Sequence, residues 1–550
     1  MSRQSACDLL VRGGTVVAAD GTRATNVAVR DGLIVGIGGA TLPAKRVIDA
    51  TGLLVLPGVI DAHTHLNSEW PFPDERRPAD DFASGTRGAA AGGITTVCDF
   101  VYALGDESLL QATNRVCAAA AAGAHVDVAL HVAVTTFRET VLHELGDLVG
   151  AGFTSFKFYT SLPDFQARAA DYLRVLGKLG SLGGVAMFHC EDAAIIEYQR
   201  HVLLKSHRTS PRFYAASKPA EAEVAATALA LCMAAVAGVP AYLVHLSCGA
   251  ALDQALLARS RGAGVFVETR PLYLHLTERA FDADDASAAG YIGTPPLRSE
   301  IDRQRLWRAL TTGEIDVVAS DHVGFTREQK YRPDDTFDTV PKGSASMETM
   351  LPMLYSEGVR TGRISLERCV ELVATNPARI FGLYPRKGVI ALGSDADLCI
   401  LDPRQRQIVP GGALHSDADF DPFAGHEVIG WPRYTVSRGE VIFDDGSVQS
   451  RPGRGRLVPA RDASVDMRLT RSADMDTEPI WTQPTTETLR AIAADRGLEI
   501  APERLATALE MHAKFRPELD RLRAVRLDYV PTYIEPATAL QWIQHGGRLP

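Results

Sequence analysis

The sequence predicts an α/β architecture. A parallel (β/α)8 barrel of the TIM type spans residues 56–380, a β-sandwich is built jointly by residues 1–55 and 381–450, and a C-terminal linker and helical extension occupy 451–550. Three observations predict this. Brief apolar runs followed by alanine-rich helical stretches recur eight times through the middle of the chain, a cadence that builds a parallel sheet. Short strands with glycine turns precede that region and return after it. Residues able to do chemistry stand at the ends of the middle strands, where barrels of this type carry their sites.

Residues 9–17 and 26–35 read as strands with turn signals at Gly13-Gly14 and Asp31-Gly32, and similar strands return at 397–402 and 434–443. Residues 55–66 organise the rest of the chain: an apolar run punctuated by Pro57 and Gly58 reads as one buried strand that ends in His63 and His65. Side chains at i and i+2 leave the same face of a strand, so both imidazoles can reach one cation. The remaining barrel strands are expected at 95–100, 126–131, 155–158, 184–189, 241–245, 264–268 and 315–321.

The polar residues at those strand ends are His63, His65, Asp99, His131, Lys157, His189, His245, Glu268 and Asp321. One histidine ending a strand is ordinarily a hydrogen-bonded core residue, but several at corresponding ends are hard to produce by packing alone. Imidazole and carboxylate suit zinc and similar divalent ions. Lys157 is the odd member, because an ammonium beside two cations is repelled. It must be neutral, displaced or modified into an anion. Carboxylation by carbon dioxide would make it a bridging carboxylate; the alternative is an ordinary ion-pair lysine pointing away from the centre.

Bulk properties exclude several classes. A chain of 550 residues is too long for one ordinary core. No stretch of eighteen consecutive apolar residues exists and the first residues lack a signal-peptide core, so no membrane span and a cytoplasmic location are expected. The eight cysteines are scattered singly, which argues against a disulfide framework and a zinc ribbon. A net charge of -10 without a basic patch leaves no electrostatic footprint for nucleic acid, so the ligand is expected to be small.

The motifs, in order, are Pro57-Gly58-Val59-Ile60-Asp61-Ala62-His63-Thr64-His65, Gly92-Gly93-Ile94-Thr95-Thr96, Phe156-Lys157, His189-Cys190-Glu191, Val244-His245-Leu246-Ser247, Glu268-Thr269-Arg270-Pro271, Thr294-Pro295-Pro296-Leu297-Arg298, Ser320-Asp321-His322 and Asn376-Pro377-Ala378-Arg379. In this order they resemble the dihydropyrimidinase, hydantoinase and allantoinase group of cyclic amidohydrolases, over residues 8–450. The resemblance implies that His63, His65 and Asp321 bind one divalent metal ion, His189 and His245 a second, and carboxylated Lys157 bridges them. Zinc is the expected metal. In such a site the ions lie about 3.5 to 4 Å apart, and a hydroxide between them attacks the amide carbon. Asp321 is then the residue that takes the proton and passes it to the leaving nitrogen. His322 is expected either to orient the site or to be structural.

Substrate recognition departs from the family pattern. The tyrosine that hydantoinases carry five residues after the modified lysine is here Leu162, with Tyr159 and Ser161 nearby; Tyr159 is the candidate substitute or a core residue. Thr294 stands where the family anchors the ring through main-chain groups. Lys342 stands where an asparagine is usual, and its cation would suit a substrate carboxylate, or it is a solvated surface lysine.

Residues 451–478 read as a linker or an arm along the barrel, and 485–494 and 502–515 as amphipathic helices with a capping-type start. The tail, 527–537, resembles small segments that attach to amidase-signature enzymes, so the appendage is expected to dock a neighbouring subunit or an amidase partner. The resemblance implies a homotetramer. Cyclic amide, imide or ureide hydrolysis is the leading reading, with a linear amide, dipeptide or ureide hydrolase as one rival and a catalytically silent scaffold of the same fold as another. The filled ligand set argues against the scaffold.

Overall fold

Two sheets organise the chain in the computed structural model, which describes residues 6–18, 21–39, 43–66 and 76–460. The first sheet takes β1 (Cys7–Ala18), β2 (Gly21–Arg30), β3 (Leu33–Gly38), β4 (Ala44–Asp49) and β5 (Leu54–Pro57) from one end of the chain. The second, a barrel, is formed by β6 (Val59–Thr64), β7 (Ile94–Val101), β8 (Asp127–Ala133), β9 (Ser155–Tyr159), β10 (Val185–His189), β11 (Ala241–Leu243), β12 (Val265–Thr269) and β13 (Val317–Val318). The chain then returns to the first sheet with β14 (Leu398–Ile408), β15 (Glu427–Ser437), β16 (Glu440–Asp444) and β17 (Ser447–Val448). The two ends therefore close into one unit, as expected. It is a single mixed sheet ordered β17-β16-β15-β14-β5-β1-β2-β3, with β4 also on β1, around a core that includes Val11, Val29, Val55, Leu398 and Val436.

Two sequence expectations change here. Gly13-Gly14 is not a turn but a bulge inside β1, where the pairing with β2 shifts register between Val11 and Gly14. Gly13 has φ +74°, and a Cβ on Gly14 would stand 2.5 Å from Val55 Cγ2, so the glycines let β1 bend and keep pairing. Asp31-Gly32 is a true two-residue hairpin turn, with φ of 53° and 78°. Residues 55–66 are two strands rather than one. The chain leaves the first sheet after Pro57 and enters the barrel at Val59, and Gly58 makes the step: its N–H donates to Asp397 O at 2.8 Å, and a Cβ there would meet Thr95 Oγ1 at 2.2 Å.

The eight barrel strands are parallel neighbours in sequence order from β6 to β13. The last seam is closed differently. β13 is only two residues long, and the carboxylate of Asp61 on β6 accepts from the N–H of Ser320 at 3.0 Å and from its hydroxyl, while His65 N–H donates to His322 O at 2.9 Å. The expected strand 315–321 is short because Ser320 turns to Asp61 and Asp321 takes φ +49°. The barrel interior is packed with residues that include Ile60, Ala62, Phe100, Met187, Tyr242 and Phe266. The helix Ala220–Ala237 has the length and apolar composition of a membrane span, yet its Ala222, Ala226 and Ala230 are buried, and it packs against Ala169–Ser181 and Gly249–Ser260. All eight cysteines are free thiols.

After β17 the chain does run along the barrel: Gly455 N–H donates to Ala124 O, Val458 N–H to Val128 O, and Ala460 N–H to Gly152 O. The expected helices of the extension and its tail lie outside the described residues.

Candidate active site

The six candidate ligands come from five strands of the barrel or the residues just past them. His63 is on β6 and His65 one residue past it; Lys157 is on β9, His189 ends β10, His245 follows β11 and Asp321 follows β13. All six line one cavity of about 760 Å3, and all are buried. His245 and Asp321 have φ of +39° and +49°, values that cost a non-glycine residue on the order of 1–3 kcal/mol and that persist only where surroundings impose them.

The ligand atoms form two groups. Asp321 Oδ1 lies 3.2 Å from His63 Nε2 and 3.2 Å from His65 Nε2. Across from them His189 Nδ1 and His245 Nε2 face each other at 3.0 Å. Burial pushes the pKa of all four imidazoles down, which favours their neutral form. Three of them are held through a second ring nitrogen. His63 Nδ1 lies 2.8 Å from Glu268 Oε1, His65 Nδ1 3.3 Å from Tyr102 OH, and His189 Nε2 2.9 Å from Glu191 Oε2. A Glu268 carboxylate accepts from the Nδ1–H tautomer of His63, the tautomer whose Nε2 lone pair lies on the Asp321 side. An imidazole nitrogen and a carboxylate oxygen facing each other are a donor set that suits a divalent cation.

Asp321 is held from behind. Burial works to raise its pKa, but the Arg270 guanidinium 3.0 Å from Oδ2, with a hydrogen bond from His65, keeps it well below the usual carboxylate range. Arg270 is itself buried and donates to Ser320 O at 3.1 Å and Ser344 Oγ at 3.2 Å. Lys157 is 1% exposed, and its Nζ stands 4.9 Å from the Phe100 ring centroid and 5.2 Å from that of Tyr159. Burial brings its pKa down to about 8, against the pull of Asp321 and Glu268.

The substrate candidates share the cavity. Tyr159, Ser161, Leu162, Thr294 and Lys342 all line it. Tyr159 OH lies 2.6 Å from Tyr102 OH, which links it to His65. Thr294 Oγ1 donates to Glu191 Oε2 at 2.8 Å and accepts from Lys218 Nζ; Lys342 Nζ donates to Asp338 O.

Three strand-end residues serve elsewhere. Asp99 accepts from Thr64 Oγ1 at 3.0 Å and Leu66 N–H at 2.7 Å, fixing the chain just past the histidine pair. His131 points into the barrel interior between Phe100 and Phe381, bonded to Ser155 Oγ and Ala62 O, with its pKa pushed down to about 3 by burial. Glu268 sits behind His63. His322 is outside the cavity lining, tied to Asp80 at 2.9 Å and to the N–H of Ser346 at 3.3 Å. Residue patterns gave no role to Glu191 and Arg270, although each stands two residues beyond a strand-end ligand or its support, on the same face. Tyr102 and Lys218 had no sequence signal.

The amidohydrolase family profile matches residues 54–442. A D-hydantoinase of Ralstonia pickettii is 37% identical over 456 residues, which cover 82% of this chain and 99% of that protein. Among solved structures, the D-hydantoinase of Bacillus sp. AR9 superposes with a TM-score of 0.79 at 37% identity, covering 82% of this chain and 99% of that one. The dihydropyrimidinase of Brevibacillus agri NCHU1002 gives 0.77 at 34% identity, covering 82% and 98%. With this match, the parallel barrel and the clustered histidines agree, and the chain belongs to the amidohydrolase family, within its hydantoinase group.

Proposed function

We propose that the protein is a metal-dependent hydrolase that opens the amide bond of a small cyclic amide, imide or ureide. The observation that carries this reading is the meeting of four imidazoles, one carboxylate and one buried lysine in a single cavity. His63, His65 and Asp321 would hold one divalent ion, and their ligand atoms already lie within 4.8 Å of one another. His189 and His245 would hold the second, with Lys157 carrying a carbamate between the two. The residues present fit such a centre. His63 Nε2, the atom that faces Asp321 Oδ1, is buried without a hydrogen-bond partner among the described residues, and nitrogen and oxygen donors of this kind suit zinc. When bound, a pair of such ions acidifies water and polarises an amide carbonyl.

The protein's own groups supply the rest. Asp321, fixed at one oxygen by Arg270, presents the other to the cavity as the site that accepts a proton and returns it to the leaving nitrogen. Thr294 is immobilised through Glu191 and Lys218, so its main chain offers a fixed anchor for the ring. Tyr159, braced by Tyr102, places a hydroxyl in the cavity wall as a hydrogen-bond donor to substrate. Lys342 adds a cation beside a ring substituent, and the cavity is large enough to hold one. On sequence grounds the proposal extends to a homo-oligomer in the cytoplasm, with residues 451–550 docking a subunit or an amidase partner. Truncation at about residue 475 with unchanged oligomer size and binding would remove that part.

The test is turnover by metal-replete protein. Opening of dihydrouracil, hydantoin, allantoin or a simple imide, with linear ureido acids and dipeptides untouched, is expected. Turnover of the linear compounds alone supports the linear-amide reading, and no turnover of any ring rejects the proposal.

A further inference from the structure

Glu268 is fully buried and is not part of the cavity wall, yet one of its oxygens holds two of the proposed ligands. Its Oε1 lies 2.8 Å from His63 Nδ1 and accepts the main-chain N–H of His245 at 2.8 Å, while Oε2 accepts the Tyr242 hydroxyl at 2.8 Å. His63 belongs to the group with His65 and Asp321; His245 belongs to the pair with His189. The two rings stand 5.4 Å apart on different strands. The bond to His63 selects the tautomer whose Nε2 lone pair faces Asp321. The bond to His245 holds a backbone at φ +39°, a conformation that relaxes when its support is removed.

We infer that Glu268 is a positioning residue shared by both halves of the metal centre, so that one carboxylate oxygen sets the geometry of two ion sites together. This rests on the two-ion reading above. A carboxylate that merely filled the barrel core with Tyr242 would affect folding stability and leave ion affinity alone. A carboxylate that served only the His63 ring would affect one ion.

The experiment compares full-length wild type with Glu268→Gln and Glu268→Leu. Gln keeps an oxygen that accepts from both N–H groups; Leu keeps the bulk and removes the acceptor. Each protein is stripped with a chelator and titrated with Co2+, with bound metal measured by equilibrium dialysis and its coordination by visible absorption. Thermal unfolding of the metal-free proteins is followed alongside. The expected result is that Glu268→Leu weakens both ions by about 10- to 100-fold and changes both visible signatures, while Glu268→Gln recovers most of the affinity at both. Loss at one ion only, or wild-type affinity at both, overturns the inference. If Glu268→Leu does not fold, Glu268→Asp, which retracts the oxygen by one methylene, takes its place with the same two readings. A wild-type protein that binds fewer than two ions refutes the two-ion reading instead, and so separates the two failures.

Discussion

Lys157 gives the sharpest quantitative handle on the proposed centre. Forming a carbamate requires the neutral amine: nitrogen attacks the carbon of carbon dioxide, a C–N bond forms, and one proton leaves. In the metal-free protein burial lowers the lysine from 10.5 to about 8, so about 9% is neutral at pH 7, against about 0.03% for an ordinary lysine. That is roughly 300-fold more reactive amine. The sign is fixed: raising pH removes the proton, so carbamate formation accelerates with pH until the amine is mostly neutral. At constant dissolved carbon dioxide the rate should rise nearly tenfold from pH 6 to pH 7 and less than about twofold from pH 8 to pH 9. The assay supplies metal-free protein with 13C-labelled carbon dioxide and zinc, and follows both the carbamate carbon resonance and the recovery of ring-opening activity. A rate that still climbs nearly tenfold from pH 8 to pH 9 would show an ordinary lysine. Full metal uptake and activity without carbon dioxide would show that no carbamate is needed.

Other outcomes follow from named contacts. Arg270→Leu strands the buried Asp321 carboxylate and should cost about 3 to 5 kcal/mol in urea unfolding together with at least tenfold in metal affinity; unchanged affinity would refute the positioning of Asp321. Asp61, raised by burial from 3.8 to about 6, is favoured in its protonated form by the fold, so its contribution to stability is lost as pH rises through about 6. In metal-free protein, Asp61→Asn should therefore gain on wild type by up to about 3 kcal/mol between pH 4 and pH 7, and a constant difference across that range would contradict it. Thr294→Val removes the hydroxyl bonded to Glu191 but keeps the main-chain anchor, so KM should change by less than about tenfold, the worth of one ordinary hydrogen bond. Lys342→Met should weaken turnover of rings bearing an acidic substituent and spare neutral ones; equal losses on both would remove the proposed role.

Much of the site was legible because strand chemistry is local. An i and i+2 histidine pair states its own geometry, and His189, His245 and Asp321 each end an apolar run short enough to be a barrel strand. What the sequence hid was tertiary. His131 ends its run like the others, but it lies inside the barrel between Phe100 and Phe381, a placement set by side-chain packing rather than strand position. The step at Gly58 between two sheets was invisible because β5 and β6 are equally apolar and differ only in their neighbours. Gly13-Gly14 carried a turn signal, and only the partner strand shows that it bends β1 without reversing it. Tyr102 and Lys218 reach the site from a strand end and a loop whose sequences announce nothing, so their roles emerge only where Tyr159, Glu191 and Thr294 surround them.

The most direct test couples metal content to ring opening in one preparation. Protein carrying two divalent ions per chain should open hydantoin or dihydrouracil, lose that activity in step with chelation, and regain it as both ions return. A preparation with two ions bound that opens no cyclic amide, or one that works unchanged after both are removed, would contradict the account.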